Sequence, residues 1–235
     1  MPHRTQTTRP LRALELVIFD CDGVLVDSES LGCRTLIKLA AEYGVNMGLA
    51  EALHLFRGRK MSVCVAEIER RRGAAVPATF IPTVRARMAD SFRRELRAVN
   101  GVRGVIDSLG LPFCVASSGP PEKIQLSLEL TGLLPLFANK IFSAYEVGSW
   151  KPDPGLFLHA AAAMGVEPAA CAVIEDSLPG VEARIAAGMQ VYAYTPAGDP
   201  QMLSREGAIA FHSMPHLPAY LRGSLDGGTR PFSRI

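Results

Sequence analysis

The chain has 235 residues, 48% of them hydrophobic, and its 25 Lys and Arg against 23 Asp and Glu leave a formal net charge of +2. That length and apolar content suit one large domain or a core with a smaller module. The near balance of dispersed charge does not suggest a nucleic-acid partner, and no apolar run approaches a membrane span.

Met1 to Arg12 is polar and basic without an apolar stretch, so it reads as a loose tail; a secretory signal is excluded, and an organelle presequence would be short and not clearly amphipathic. Val17-Ile18-Phe19 is then a β-branched and aromatic run of the kind found in the central strand of a parallel sheet, and it ends in Asp20-Cys21-Asp22-Gly23. Ligands of such sheets bind beyond the carboxyl ends of the strands. Residues two apart project to the same side, so Asp20 and Asp22 can approach one small site. Two carboxylates about 4 Å apart repel by about 4 kcal/mol at an effective dielectric near 20 unless a cation or a proton intervenes. A hard divalent cation is the simplest remedy. Taken alone, the same residues are equally well a turn and a cap.

After Glu29 the period lengthens to that of a helix. Leu31, Leu36, Leu39, Ala40 and Tyr43 share a face that Gly44 can end. Further helices are predicted over Leu49 to Phe56, Met61 to Arg72 with Gly73 as the stop, and Thr79 to Val99, the last with its arginines mostly off the apolar face. The loop Phe56-Arg57-Gly58-Arg59-Lys60 joins two of these helices. Its three cations either reach an anionic substrate or form a solvated basic turn.

From Val102 onward helix and strand alternate. A helix near Gly104 to Leu109 precedes a strand, Pro112 to Ala116, that runs into Ser117-Ser118-Gly119; a helix over Pro121 to Leu130 follows. Lys140 to Ser143 is a short apolar run, and Trp150-Lys151-Pro152-Asp153-Pro154 fixes Lys151 in a turn that two prolines keep out of helix. An alanine-rich helix over Pro154 to Met164 leads to the strand Cys171 to Ile174, which ends in Glu175-Asp176-Ser177. A helix after Pro179 to Ala187 and a strand over Met189 to Tyr194 complete the alternation, and Arg222 to Ile235 reads as a mobile tail. The pattern predicts an α/β fold with a doubly wound, Rossmann-like parallel sheet and an inserted helical module. The expected division is 14–29 and 100–220 for the sheet domain, 30–99 for a helical cap, and 1–13 and 222–235 for flexible tails.

Five cysteines, an odd number with no C-x-x-C pair and no zinc-like spacing to His, read as reduced thiols in a cytoplasmic protein. Lys151 alone could be an ordinary surface lysine, and Glu175-Asp176-Ser177 a helix cap. Only the joint order of these segments points to chemistry.

In that order they resemble the four motifs of the haloacid dehalogenase superfamily of phosphotransferases: Asp20-Cys21-Asp22-Gly23-Val24-Leu25-Val26-Asp27-Ser28-Glu29, then Ser117, then Lys151, then Glu175-Asp176-Ser177 with Gly180. The long insertion after the first motif resembles the cap of the beta-phosphoglucomutase-like branch. Phe142-Ser143-Ala144-Tyr145-Glu146 followed by Trp150-Lys151-Pro152-Asp153-Pro154 is similar to the sugar-phosphate phosphatases, the group that includes 6-phosphogluconate phosphatase.

The resemblance implies a Mg²⁺-dependent phosphatase acting on a small phosphorylated metabolite, such as a sugar phosphate or the sugar-acid phosphate 6-phosphogluconate. Asp20 is then the nucleophile and Asp22 the general acid and base. Mg²⁺ is held by Asp20, the main-chain carbonyl of Asp22 and Asp176, with Glu175 bound directly or one step removed. The Ser117 hydroxyl, Lys151 and the N–H groups of Ser118 and of Cys21 to Gly23 hold the phosphoryl oxygens, and Arg57, Arg59 and Lys60 bear on specificity. A monomer or weak homodimer is expected. The competing reading is a phosphoglucomutase-type isomerase. Such mutases carry a histidine after the first motif and an arginine in the cap loop, where this chain has Gly32 and Met61, with Arg59 or Lys60 beside Met61 as substitutes for the arginine. A phosphonate hydrolase needs a Schiff-base lysine in the cap, where only Lys38 and Lys60 are available. A non-catalytic metabolite-binding protein would have lost the nucleophile.

Overall fold

The computed structural model describes residues 13–196 and 207–225. Six parallel strands form one sheet: β1 (Leu16–Phe19), β2 (Phe113–Ser117), β3 (Ile141–Ser143), β4 (Cys171–Glu175), β5 (Gln190–Tyr194) and β6 (Ile209–Phe211), in the order β3-β2-β1-β4-β5-β6. The central position of β1 follows from its composition. Leu16 and Ile18 pack into the apolar layer on one face, Val17 and Phe19 into the layer on the other, and all four are fully buried. The chain leaves β1 for β2 on one side and later returns for β4 on the other, so the order reverses between β1 and β4. The crevice beyond their carboxyl ends is where this architecture binds ligands.

Four helices, α1 (Glu29–Glu42), α2 (Leu49–Phe56), α3 (Met61–Arg72) and α4 (Phe80–Glu95), are inserted between β1 and β2. They bury an apolar cluster of their own, including Leu36, Leu39, Phe56, Ile68, Phe80 and Val84, whereas Leu31, Phe92 and Leu96 at the base of α1 and α4 join the cluster under the sheet. α4 stops sooner than the apolar spacing through Val99 predicts. After Glu95 the backbone turns extended at Leu96, because the outgoing strand pairs with the ingoing one: the Asp27 N–H donates to the Arg97 carbonyl and the Val99 N–H to the Leu25 carbonyl, both at 3.0 Å.

The remaining helices, α5 (Val102–Asp107), α6 (Pro121–Leu130), α7 (Ala144–Val147), α8 (Gly155–Ala163), α9 (Leu178–Ala187) and α10 (Leu217–Leu225), flank the sheet. β6 and α10 are absent from the sequence reading, being short and set among glycine and proline. Leu217 and Leu221, four apart, bury one face of α10 against the sheet cluster that holds Phe211 and Met214. The helix thus continues past Arg222 to Leu225; the rest of the expected C-terminal tail, and the N-terminal one up to Arg12, lie outside the described residues. No helix of the described residues is long and apolar enough to cross a membrane.

Candidate active site

Asp20 follows β1 directly, where its backbone N–H still bonds the Ile174 carbonyl of β4 at 3.0 Å. Its side chain is 8% exposed and meets the Lys151 ammonium, 2.8 Å from Oδ1. Lys151 also donates to Glu175 Oε1 at the end of β4, and so bridges two buried carboxylates. Burial alone would lower the lysine's pKa, but Asp20 and Glu175 outweigh it and raise it, so the ammonium stays charged. Asp20 shows the opposite balance. Burial, helped by the charges of Glu175 and Asp22, pushes its carboxyl up to about 7 against the pull of Lys151.

Glu175 has no oxygen to spare. Oε2 accepts from the Asp176 N–H, the Ser177 N–H and the Ser177 hydroxyl, each at 2.9 Å. The carboxylate sits against the first turn of α9, and a Cβ on Gly180 would fall 1.9 Å from the Glu175 carboxyl carbon, so only glycine fits there. Glu175 therefore fixes Lys151 and the turn that presents Asp176. Asp176 is 4% exposed, and both of its carboxylate oxygens lack a hydrogen-bond donor. Burial lifts its pKa well above the usual carboxylate range, against the pull of Arg57. The Arg57 Nε lies 3.1 Å from Asp176 Oδ2, in ionic contact but out of line for a hydrogen bond. Carboxylate oxygens of Asp20, Glu175 and Asp176 lie within 4.8 Å of one another. Three buried acids with two orphaned oxygens are a donor set that suits a hard divalent cation.

Asp22 stands apart from this cluster. Ser28 donates to Oδ1 at 2.5 Å, and the Lys123 ammonium lies 2.7 Å from Oδ2. Burial works to raise the Asp22 pKa, but Lys123 and Ser28 outweigh it and hold the group as a carboxylate. Lys123 gave no signal in the sequence: it sits in the first turn of α6 and meets Asp22 across 101 positions of chain.

The two serines after β2 divide. Ser117 is fully buried and its oxygen accepts from the Gly119 N–H at 3.1 Å, which braces the turn and leaves its proton to donate. Ser118 lines a cavity of about 450 Å³, its hydroxyl oxygen buried without a partner. Asp20, Asp22 and Lys151 line the same cavity from the sheet side. The helix side contributes Glu29, Gly32, Cys33 and Leu36 from α1 and Arg85, Met88, Phe92 and Arg93 from α4, each set at helical spacing. Arg85 and Arg93 thus share the inward face that the sequence assigned to apolar residues, and that periodicity could have found them together with Glu29.

Of the loop cations, Arg59 lines the cavity and Arg57 meets Asp176, but Lys60 is not among the lining residues; its ammonium rests 3.3 Å from the centroid of the Trp150 ring. The loop docks closely: Gly58 has φ +69°, and a Cβ there would lie 2.6 Å from Ser177 Cβ and Oγ. Gly32 and Met61 both line the cavity, while Lys38 is exposed and outside it.

Glu29 carries a testable consequence. Burial, with the charge of Asp22, pushes its carboxyl up to about 7 against Lys123 and Arg57. A folded-state pKa above the unfolded value means that stability falls as pH rises from about 4.5 to about 7, because the folded form holds the extra proton. Glu29→Gln removes that slope. The variant should be more stable than the parent at pH 8 by about 1–3 kcal/mol and no more stable at pH 4, as read by urea titration at both pH values.

Comparison with known proteins agrees with this geometry. The family profile of haloacid dehalogenase-like hydrolases matches residues 14–188. 6-Phosphogluconate phosphatase of Escherichia coli strain K12 is 36% identical over 182 residues, 77% of this chain and 82% of that protein. The crystal structure of a HAD family hydrolase from Deinococcus radiodurans R1, with bound phosphate and sodium, superposes with a TM-score of 0.74 at 29% identity over 90% of this chain and 96% of that one. A candidate beta-phosphoglucomutase from Thermotoga maritima gives 0.71 at 25% identity, over 89% and 99%. With a profile that spans most of the chain and acids, serine and lysine gathered at one sheet edge, the protein belongs to the haloacid dehalogenase-like hydrolase family.

Proposed function

We propose that the protein is a phosphatase that hydrolyses a small phosphate monoester, with a sugar-acid phosphate of the 6-phosphogluconate kind as its substrate class. The observation that carries the reading is Lys151 held between Asp20 and Glu175, with Asp22 and Ser118 on the wall of the same cavity. In the first step an Asp20 carboxylate oxygen attacks phosphorus, and the leaving alkoxide takes a proton from Asp22. In the second, water attacks the resulting phosphoaspartate and gives its proton to Asp22, releasing phosphate and restoring Asp20. Lys151, the Ser117 and Ser118 hydroxyls and the main-chain N–H groups after β1 and β2 hold the phosphoryl oxygens; positioning and charge neutralisation are most of what such a transfer needs. Lys123 favours the carboxylate form of Asp22 that the second step uses, so before the first step Asp22 must part from Lys123 and take up a proton from solvent, which it then gives to the leaving alkoxide.

Mg²⁺ fits the acids present. Asp20, Asp176 and the main-chain carbonyl of Asp22 would hold it, with Glu175 orienting rather than binding. When bound, it neutralises charge on the transferring phosphoryl oxygens. The four inserted helices act as a cap over the site, and their cavity face excludes water from the reaction. Every group in this account comes from one chain, so a monomer suffices. Five free, buried cysteines are compatible with a cytoplasmic setting.

A mutase must return the phosphoryl group to a reoriented sugar, and Gly32 brings the cavity no proton carrier for that transfer, although Arg59 could supply the cation that Met61 does not. The test is a panel of sugar phosphates, sugar-acid phosphates and hexitol phosphates with Mg²⁺, following both free phosphate and isomerised ester. Phosphate release that chelation by EDTA removes is expected. Isomerised product with no phosphate would overturn the reading.

A further inference from the structure

The phosphoryl group occupies only part of a 450 Å³ cavity, so the remainder must accept the leaving group. On its wall, Arg93 is paired with Asp90, while Arg59 and Arg85 have no carboxylate partner among the described residues. Arg85 differs from Arg59 in being held. One Nη2 N–H donates to the Tyr145 hydroxyl at 2.9 Å, and the guanidinium carbon lies 5.4 Å from that ring's centroid. Tyr145 is fixed in turn. Its N–H donates to Ser143 Oγ at the end of β3, and its ring meets Trp150, next to Lys151, edge to face at 5.3 Å. The guanidinium therefore stands on the same rigid frame as the phosphate-holding lysine, although it comes from α4 on the opposite side of the cavity.

We propose that Arg85, oriented by Tyr145, is the specificity-determining residue that binds a carboxylate on the leaving group, an inference that rests on the phosphatase reading above. An arginine with most of its planar fork uncommitted matches a carboxylate in two-point contact, and the Tyr145 hydroxyl, which accepts from Arg85, keeps its own proton to donate to the same ligand. Tyr145 acts through Arg85 and is a positioning residue.

The experiment compares 6-phosphogluconate with sorbitol 6-phosphate, which has an alcohol in place of the carboxylate on the same carbon chain. Arg85→Met should raise KM for the acid roughly 10- to 100-fold, as expected for losing hydrogen bonds to a charged group. KM for the alcohol should change by less than about threefold, and kcat should be unchanged on both, since in this assignment Arg85 touches the leaving group's carboxylate and not the transferring oxygens. Arg85→Lys, which keeps the charge without the fork, should recover part of the loss, and Tyr145→Phe should give a smaller loss confined to the acid. An equal loss on both esters, or none on the acid, overturns the assignment and leaves the phosphatase reading standing. A parent enzyme that hydrolyses neither ester overturns that reading, and the assignment falls with it.

Discussion

Asp20→Asn should reduce phosphate release by at least roughly four orders of magnitude while leaving the fold intact. The amide is close in shape to the carboxylate, so Lys151 keeps Glu175 as its partner and the end of β1 keeps its packing. What disappears is the proposed nucleophile, and no neighbour is free to replace it: Glu175 has both oxygens engaged, Asp22 is tied to Ser28 and Lys123, and Asp176 is the acid that the proposal commits to the metal. The melting temperature should hold or rise. A carboxyl that burial pushes up to about 7 is an unfavourable charge to keep, and strain of that kind is tolerated at sites that use it. Steady-state kinetics and thermal melts of the two proteins check both halves; activity near the parent level would remove Asp20 from the mechanism.

Lys151→Met should be the most destabilising single change in the site. Its side chain is 2% exposed and lies between two carboxylates that are 8% and 0% exposed, so methionine would fill the volume and leave two buried acids without their counter-charge. Removing one partner from a buried pair costs about 3–5 kcal/mol. For a chain of this size that lowers the melting midpoint by roughly 10 °C. The loss should depend on pH. Lys151 pulls the Asp20 pKa down, so without it the value rises above about 7, and the folded variant takes up a proton as pH falls. In metal-free buffer the gap between variant and parent should therefore narrow from pH 8 to pH 5. Phosphatase activity should fall at least about a hundredfold at every pH, because the phosphoryl oxygens lose a fixed cation. A variant that melts with the parent at pH 8 would mean that Lys151 is solvated and free of Asp20.

Much of the fold is readable from the chain because the inner strands β1, β2, β4 and β5 are buried on both faces and so appear as apolar runs that end in polar residues, whereas the short edge strand β6 is only partly buried and leaves no such run. α2, α3 and α6 are bounded where local signals stand: Gly73 adopts the left-handed conformation that stops α3, and Pro121 opens α6. The end of α4 is not local. Leu96 and Val99 keep helical spacing, yet the chain leaves the helix to pair with the Leu25 to Asp27 segment, a contact that periodicity does not encode.

The candidate site divides along the same line. Asp20, Asp22, Ser117, Ser118, Glu175 and Asp176 each close a strand or follow one closely, so the topology brings them to one edge, and Lys151 reaches it from the proline-held turn that follows β3 and α7. Lys123, Arg85 and Tyr145 meet that edge from helices, and their roles depend on which face of α4, α6 and α7 turns inward. For the basic loop between α2 and α3, composition marks Arg57, Arg59 and Lys60 alike, but packing sends them to Asp176, to the cavity and to Trp150 respectively.

The central claim is that the phosphoryl group passes through Asp20. Rapid acid quench of the protein during turnover, followed by proteolysis and mass spectrometry, measures this most directly. The account predicts a peptide spanning Asp20 that is heavier by one phosphoryl group, with the label chasing to inorganic phosphate and missing from Asp20→Asn. Full turnover with Asp20 never modified, or the label on another residue, would contradict it.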